Sequence, residues 1–78
     1  MNTDREPTYG EKAVGLAFNP SGDANVITLK EHYAQVIDHL NTIRDTTEDS
    51  ETKRLCSIAI TEAQAAQMWA VKAATWQT

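Results

Sequence analysis

From Val26 onward, apolar residues recur at alternating spacings of three and four: Val26, Leu29, Tyr33, Val36, Leu40 and Ile43. That alternation is the seam of a heptad helix, and Ile37 widens it. Lys30, Glu31, Gln35, Asp38 and Asn41 fall on the opposite face. The pattern predicts a helix from Ala24 to about Asp45, roughly 30 Å long at about 1.5 Å per residue. It follows Asn19-Pro20-Ser21-Gly22-Asp23, a run of turn formers in which Asp23 or Ser21 is placed to cap the helix. The polar, acidic run from Asp45 to Asp49 then breaks the pattern. Thr47 or Asp49 caps the next helix there, and Glu48, Asp49 and Glu51 lie where a helix N-terminus favours negative charge.

A second helix is predicted from Ser50 to Gln77, and its apolar residues cover more than one stripe. Leu55, Ile58, Ala59, Ala66, Trp69, Ala73 and Trp76 share one face at helical spacing; Cys56, Ile60, Ala63, Val71 and Ala74 form a second beside it. From Leu55 onward the charged residues are Glu62 and Lys72, and Ser57, Thr61, Gln64 and Thr75, with Met68 among them, leave a narrow polar strip. A helix apolar around most of its circumference is buried on most sides, and one partner helix cannot cover two stripes. The alanines permit close approach of helix axes, and the tryptophans supply large areas to bury. Upstream, Tyr9 to Phe18 holds a patch of Ala13, Val14, Leu16, Ala17 and Phe18 interrupted by Gly15. It reads equally as a short extended segment or one turn of helix. Met1 to Thr8 is polar and contains Pro7, so a flexible tail is expected there.

The fold class expected is therefore all-α: an antiparallel two-helix hairpin with a short N-terminal arm, assembled into a homo-oligomer. The tail occupies 1–8 and the hairpin domain 9–78, divided into arm and turn 9–23, helix 24–45 and helix 50–77. Size argues for the assembly. A chain of 78 residues buries only about 60% of its unfolded surface, and small scaffolds depend on a disulfide, a metal or partner subunits. Cys56 is the only cysteine, so no disulfide forms within the chain. His32 and His39 stand seven apart with no further cluster, so no zinc site is expected. Self-association is the device that remains.

An unpaired thiol suits a reducing cytoplasm. The opening residues MNTDREPTYGEK are polar and mixed in charge and do not read as a signal peptide. No apolar run approaches the roughly 18 residues of a membrane span. A net charge of −4 and a pI of about 4.9 weigh against binding duplex nucleic acid through a broad basic face.

No GxSxG, P-loop, GxGxxG, HExxH or EF-hand pattern is present. Cys56 has no local base and reads as a small buried hydrophobe. His32 and His39 read as solvated or structural, because nothing completes a triad or a metal shell. No enzyme, metal or cofactor is expected. Glu62 falls inside an apolar stripe, where a carboxylate needs a partner, and reads as a buried acid fixing helix register. Trp69 and Trp76 read as core or interface. The arm is where binding residues gather: Tyr9, Lys12, Phe18, Asn19, Ser21 and Gly22 offer flat rings, a cation, an amide and small turn residues. Aromatic faces stack on bases, and a cation with turn N–H groups meets phosphate. By composition alone, a packed turn with a frayed arm is the simpler reading.

The segments YGEKAVGLAFNPSGD (9–23) and TEAQAAQMWAVKAATW (61–76) resemble a family of short phage proteins, the anti-CBASS sponges that sequester cyclic oligonucleotide signals. The related anti-Thoeris sponges, which sequester a cyclic ADP-ribose isomer, share the same helical hairpin. The second segment, with its Thr–Glu–Ala–Met–Trp–Ala order, is the more specific. The resemblance implies a homo-hexamer of hairpins in the host cytoplasm, with nucleotide pockets at subunit interfaces. The implied ligands are cyclic dinucleotides or trinucleotides. The implied pocket holds Tyr9, Phe18, Asn19, Pro20, Ser21 and Gly22, with Lys12, Lys30 and Arg54 as the candidate cations and Tyr9 as the first choice of stacking ring. The rival from another class is a helical adaptor that docks on a larger partner and binds no small molecule. A hydrolase of the same messengers lacks a metal or nucleophile set.

Overall fold

The computed structural model describes residues 5–77, which form helices α1 (Tyr9–Val14), α2 (Ala24–Thr46) and α3 (Ser50–Ala74) and no strand. Local chemistry sets each end. The Thr8 hydroxyl accepts the Glu11 N–H at 3.0 Å while the Thr8 N–H donates to the Glu11 carboxylate at 3.0 Å, a reciprocal capping box that starts α1. The stretch 9–18 thus begins as helix rather than as an extended segment. Arg5 forks onto the same carboxylate at 3.0 and 3.1 Å, tying the chain ahead of α1; residues 1–4 of the expected tail lie outside the described residues. Gly15 ends α1 with φ 62°, in the left-handed region that glycine enters without steric cost. Its N–H meets the Lys12 carbonyl, and the Leu16 N–H reaches the Glu11 carbonyl, so the last turn keeps its acceptors satisfied.

Of the capping alternatives, Asp23 starts α2 by accepting the Asn25 N–H at 2.7 Å. Asp49 starts α3, accepting the Thr52 N–H at 2.8 Å and the Thr52 hydroxyl at 2.7 Å. α2 runs one residue past the expected Asp45. α3 stops short of the expected Gln77: Thr75 leaves the helix at φ −104°, and its hydroxyl donates to the Val71 carbonyl at 2.8 Å.

α2 and α3 pack along each other through the short connection at 47–49, and α1 lies mainly against α2. The core is Val14, Ala34, Ile37 and Ile60, edged by Ala13, Leu16, Tyr33, Leu40 and Ala63. The buried line of α2 differs from the expected seam. It runs Val26, Lys30, Ala34, Ile37, while Val36 and Ile43 are exposed and Lys30, expected on the solvent face, is inside. The cause is that α2 has partners on two adjacent sides, so the line between them is the covered one. Gly10 makes the second partner possible. A Cβ there would stand 2.1 Å from the Ala34 carbonyl oxygen, and the Gly10 N–H donates to Asp38 Oδ1 at 2.6 Å.

α3 buries its second stripe, with Cys56, Ile60 and Gln67 inside. Its first stripe stays open: Leu55, Ile58, Trp69 and Trp76 are exposed, as is Met68. Glu62, expected to be a buried acid, is exposed, because the stripe that carries it is uncovered within the chain. His32 and His39 are exposed. Extents of 46 × 34 × 12 Å describe a single layer of helices, which leaves each helix a bare face. No helix among the described residues is long and apolar enough to cross a membrane.

Two predictions follow from this packing. Ile37 is fully buried, so Ile37→Ala should cost about 2–5 kcal/mol, the range for deleting a large aliphatic core side chain, read as a lower urea midpoint. Acid should act on the caps. Hydrogen bonds from Arg5, then from the Thr8 N–H, hold the Glu11 carboxyl below its ordinary value. The Thr52 hydroxyl and N–H do the same for Asp49. Stability from such depressed groups is present in full above their unfolded-state values and is lost as pH falls through the folded ones. Side-chain titration by NMR should therefore give Glu11 and Asp49 midpoints below those of the same two groups in the urea-unfolded chain. Coincident midpoints would contradict the capping geometry.

Candidate ligand-binding groove

The turn after α1 is shaped by its own polar side chains. The Ser21 hydroxyl donates to Asn19 Oδ1 at 2.9 Å and accepts the Asp23 N–H at 3.2 Å, while Asn19 Nδ2 donates to the Asp23 carbonyl at 3.1 Å. Gly22 takes φ 68°, and its N–H returns to the Asn19 carbonyl at 3.1 Å. This closed set fixes the shape of the turn that lies beside the hairpin. Between them lies a groove of about 260 Å³, walled by Phe18, Asn19, Pro20 and Ser21 from the turn, Val26 and Lys30 from α2, and Val71 and Thr75 from the end of α3.

Lys30 gives the groove its chemistry. Only 5% of the residue is exposed. Its Nζ donates to the Gly15 carbonyl at 2.9 Å and to the Phe18 carbonyl, and it stands 5.5 Å from the centroid of the Phe18 ring. Two of the three ammonium donors are thereby engaged. The ion pairs among the described residues are Arg5–Glu11 and Arg54–Glu51, so among them no carboxylate answers the Lys30 charge. A buried charge is costly unless paired, and this one sits in the wall of an open groove. The Phe18 ring beside it is 71% exposed.

Of the residues expected to form a site, one chain brings together Phe18, Asn19, Pro20, Ser21 and Lys30 in this groove. Gly22 belongs to the same turn. Lys12 lies on the other side of Phe18, in a hollow of about 450 Å³ that also includes Arg5, Glu11 and the 15–18 segment. Tyr9 is elsewhere: its ring lies under the Arg44 guanidinium at 5.5 Å. Arg54 is elsewhere too, bound to Glu51 at 3.0 and 2.6 Å and edging a hollow with Ser57, Ile58, Thr61 and Glu62.

Sequence reasoning missed Val71, Thr75 and Arg44. The Arg44 guanidinium donates to Asn41 Oδ1 at 2.7 Å and to the Ser57 hydroxyl at 3.0 Å, tying α2 to α3, and its contact with the Tyr9 ring adds the start of α1. A signal existed. Positions 26, 30, 34, 37, 41 and 44 form one helical line with a cation near each end, but Lys30 and Asn41 read as solvent-facing beside the stronger apolar seam. On the bare face of α3, Lys72 stands 5.5 Å from the Trp69 ring and 6.0 Å from the Trp76 ring. Among the described residues, no group of His, Cys, Asp and Glu side chains is arranged to hold a metal.

A docked arm and two long paired helices make this a helical-hairpin protein. The family model described as Acb2/Tad1, hairpin domain, matches residues 11–75, most of the chain, and the chain belongs to that family. The match agrees with the likeness of segments 9–23 and 61–76 to the anti-CBASS and anti-Thoeris sponges. The family is known for sponge-like binding of signalling molecules, which implies a non-catalytic binding protein. No curated protein and no solved structure matches the chain.

The groove's two principal side chains should separate in a stability measurement. Phe18→Ala, at an exposed position, should change unfolding free energy by no more than about 0.5 kcal/mol. Lys30→Ala removes the donor that two arm carbonyls share and should cost about 1–3 kcal/mol. Equal effects in thermal unfolding would refute this division of roles.

Proposed function

We propose that this chain binds cyclic nucleotide second messengers, cyclic dinucleotides and also cyclic trinucleotides, and sequesters them without cleaving them. In the cytoplasm of an infected bacterial host, that removes the signal from an anti-phage immune effector. The observation that carries this reading is the buried Lys30 ammonium, unanswered by a carboxylate among the described residues, in a groove beside the exposed Phe18 ring. A phosphate supplies the missing negative charge, and a base supplies a face for the ring. Base stacking of this kind is worth about 1–3 kcal/mol per base. Asn19, Pro20, Ser21 and Gly22 shape the wall, and Lys12 offers a second cation across the ring. Tyr9 and Arg54 lie apart from the groove within one chain and enter the proposed site from a neighbouring copy.

Self-association into a homo-hexamer is part of the proposal. Its support is the bare stripe of α3, where Leu55, Ile58, Trp69 and Trp76 are exposed on a single-layer molecule. A cyclic dinucleotide has two bases and two phosphates in approximate two-fold symmetry, and an isologous interface presents each residue twice about such an axis. One ring and one ammonium per chain then serve both halves of the ligand. The same bare stripe is what a helical adaptor would use to dock on a larger partner, so ligand recovery must decide between them.

Incubating the protein with a panel of cyclic nucleotides and then heating it should release the bound compound intact. Calorimetry should give about one cyclic dinucleotide per two chains by the symmetry argument, and sedimentation at micromolar concentration should show a multi-subunit particle. Phe18→Ala and Lys30→Gln should each weaken binding by at least about tenfold, the loss expected from removing a stacked ring or a charged partner. Recovery of cleaved ligand would mark an enzyme, and a folded protein that binds no member of the panel would favour the adaptor.

A further inference from the structure

One wall of the groove belongs to the arm, and the others belong to α2 and α3. The groove therefore exists only while the arm is docked, and in one register. Docking rests on a rail along α2: Lys30, Ala34 and Asp38, spaced by four residues and so on one side of the helix. At one end the Lys30 ammonium holds the carbonyls of Gly15 and Phe18. In the middle Gly10 rests on the Ala34 carbonyl so closely that no side chain fits. At the other end the Asp38 carboxylate accepts the Gly10 N–H at 2.6 Å. The charges match the polarity of α1, whose N-terminal N–H groups favour an anion and whose C-terminal carbonyls favour a cation.

We propose that Asp38 is a positioning residue for the groove, acting through the backbone of α1. The inference rests on the reading of the groove as an anion and ring site. Asp38 fixes where α1 lies along α2, and α1 fixes where Phe18 and the Gly15 carbonyl stand relative to Lys30. An undocked arm removes the Phe18–Ser21 wall and frees the Lys30 side chain from its two acceptors. Ligand binding and arm docking are then coupled, and the coupling is reciprocal: occupancy of the groove tightens the arm at Gly10, at the opposite end of α1.

Cyclic diadenylate is a suitable probe, with affinity from calorimetry and arm order from amide hydrogen exchange. Asp38→Ala and Gly10→Ala should each weaken binding by about five- to hundredfold, the usual span of coupling between sites. Exchange across 10–18 should accelerate, while Ile37 and Ile60 exchange as in the unaltered protein. Asp38→Asn, which keeps an oxygen acceptor for the Gly10 N–H, should retain most of the affinity. In the unaltered protein the probe should slow exchange of the Gly10 amide. Because Gly10→Ala leaves Asp38 in place, its loss of affinity separates positioning from direct contact, and it decides the matter if Asp38→Ala unfolds the hairpin. Loosened arms with undiminished affinity would overturn the inference and leave the groove reading standing. Full affinity in Lys30→Gln, or no binding by the unaltered protein, would overturn the groove reading and this inference with it.

Discussion

An ammonium can leave water only where oxygens replace water, and the Lys30 ammonium finds them in the arm. That requirement shapes the whole segment before α2. α1 must end in a left-handed residue at Gly15, and the next turn must close with the Phe18 N–H on the Gly15 carbonyl at 2.9 Å, so that the Gly15 and Phe18 carbonyls converge on one nitrogen. Carbonyl dipoles solvate the charge without cancelling it. The interaction that docks the arm thus also leaves a net positive charge in the groove wall, in a chain whose formal charge is −4. Fold and candidate site share one atom.

The thinness of the molecule explains the composition of α3. A layer 12 Å deep buries one line of residues per helix. α2 spends its line on both neighbours, and α3 spends only its second stripe, through Cys56 and Ile60. Nothing among the described residues covers Trp69 or Trp76, although two exposed indoles together represent some of the largest apolar area the sequence holds. Lys72 beside both rings offers a cation–π contact, which offsets little of their exposure at an open surface. The proposed assembly resolves this imbalance; a free monomer does not.

What was legible in the sequence is what is local. Asp23 and Asp49 cap their helices because an Asx side chain bonds backbone two or three residues on, and the limits of both long helices fell close to where turn residues stand. α1 was ambiguous because six residues are too few for periodicity to speak. The signal was the pair Thr8 and Glu11, spaced as a capping box. The face of α2 was read a step out of phase, since a heptad seam presumes one partner and α2 has two. Neither Gly10 against Ala34 nor Asp38 under the Gly10 amide leaves any trace along the chain, because each is a meeting of distant segments. For the groove, Phe18 to Ser21 were found together because they are neighbours in sequence. Val71 and Thr75, which arrive from the far end of α3, were not. The ligand class came from the family likeness, and no spacing of residues supplies it.

The bonding within the groove narrows how such a ligand could be selected. Asn19 and Ser21 bond to each other and to Asp23, and the Thr75 hydroxyl donates to Val71. These polar groups are committed to holding the wall in shape. What stays uncommitted in the groove is then the exposed Phe18 ring face and one N–H of the Lys30 ammonium. A site of that kind gains little from the hydrogen-bonding edge of a base, and stacking is tolerant of which base is stacked. It gains from charge placed at the right distance from a flat ring. Discrimination in the proposed function would therefore rest on the ring-to-phosphate geometry of the messenger, and Lys30 and Phe18, held 5.5 Å apart by the docked arm, are the pair that measures it.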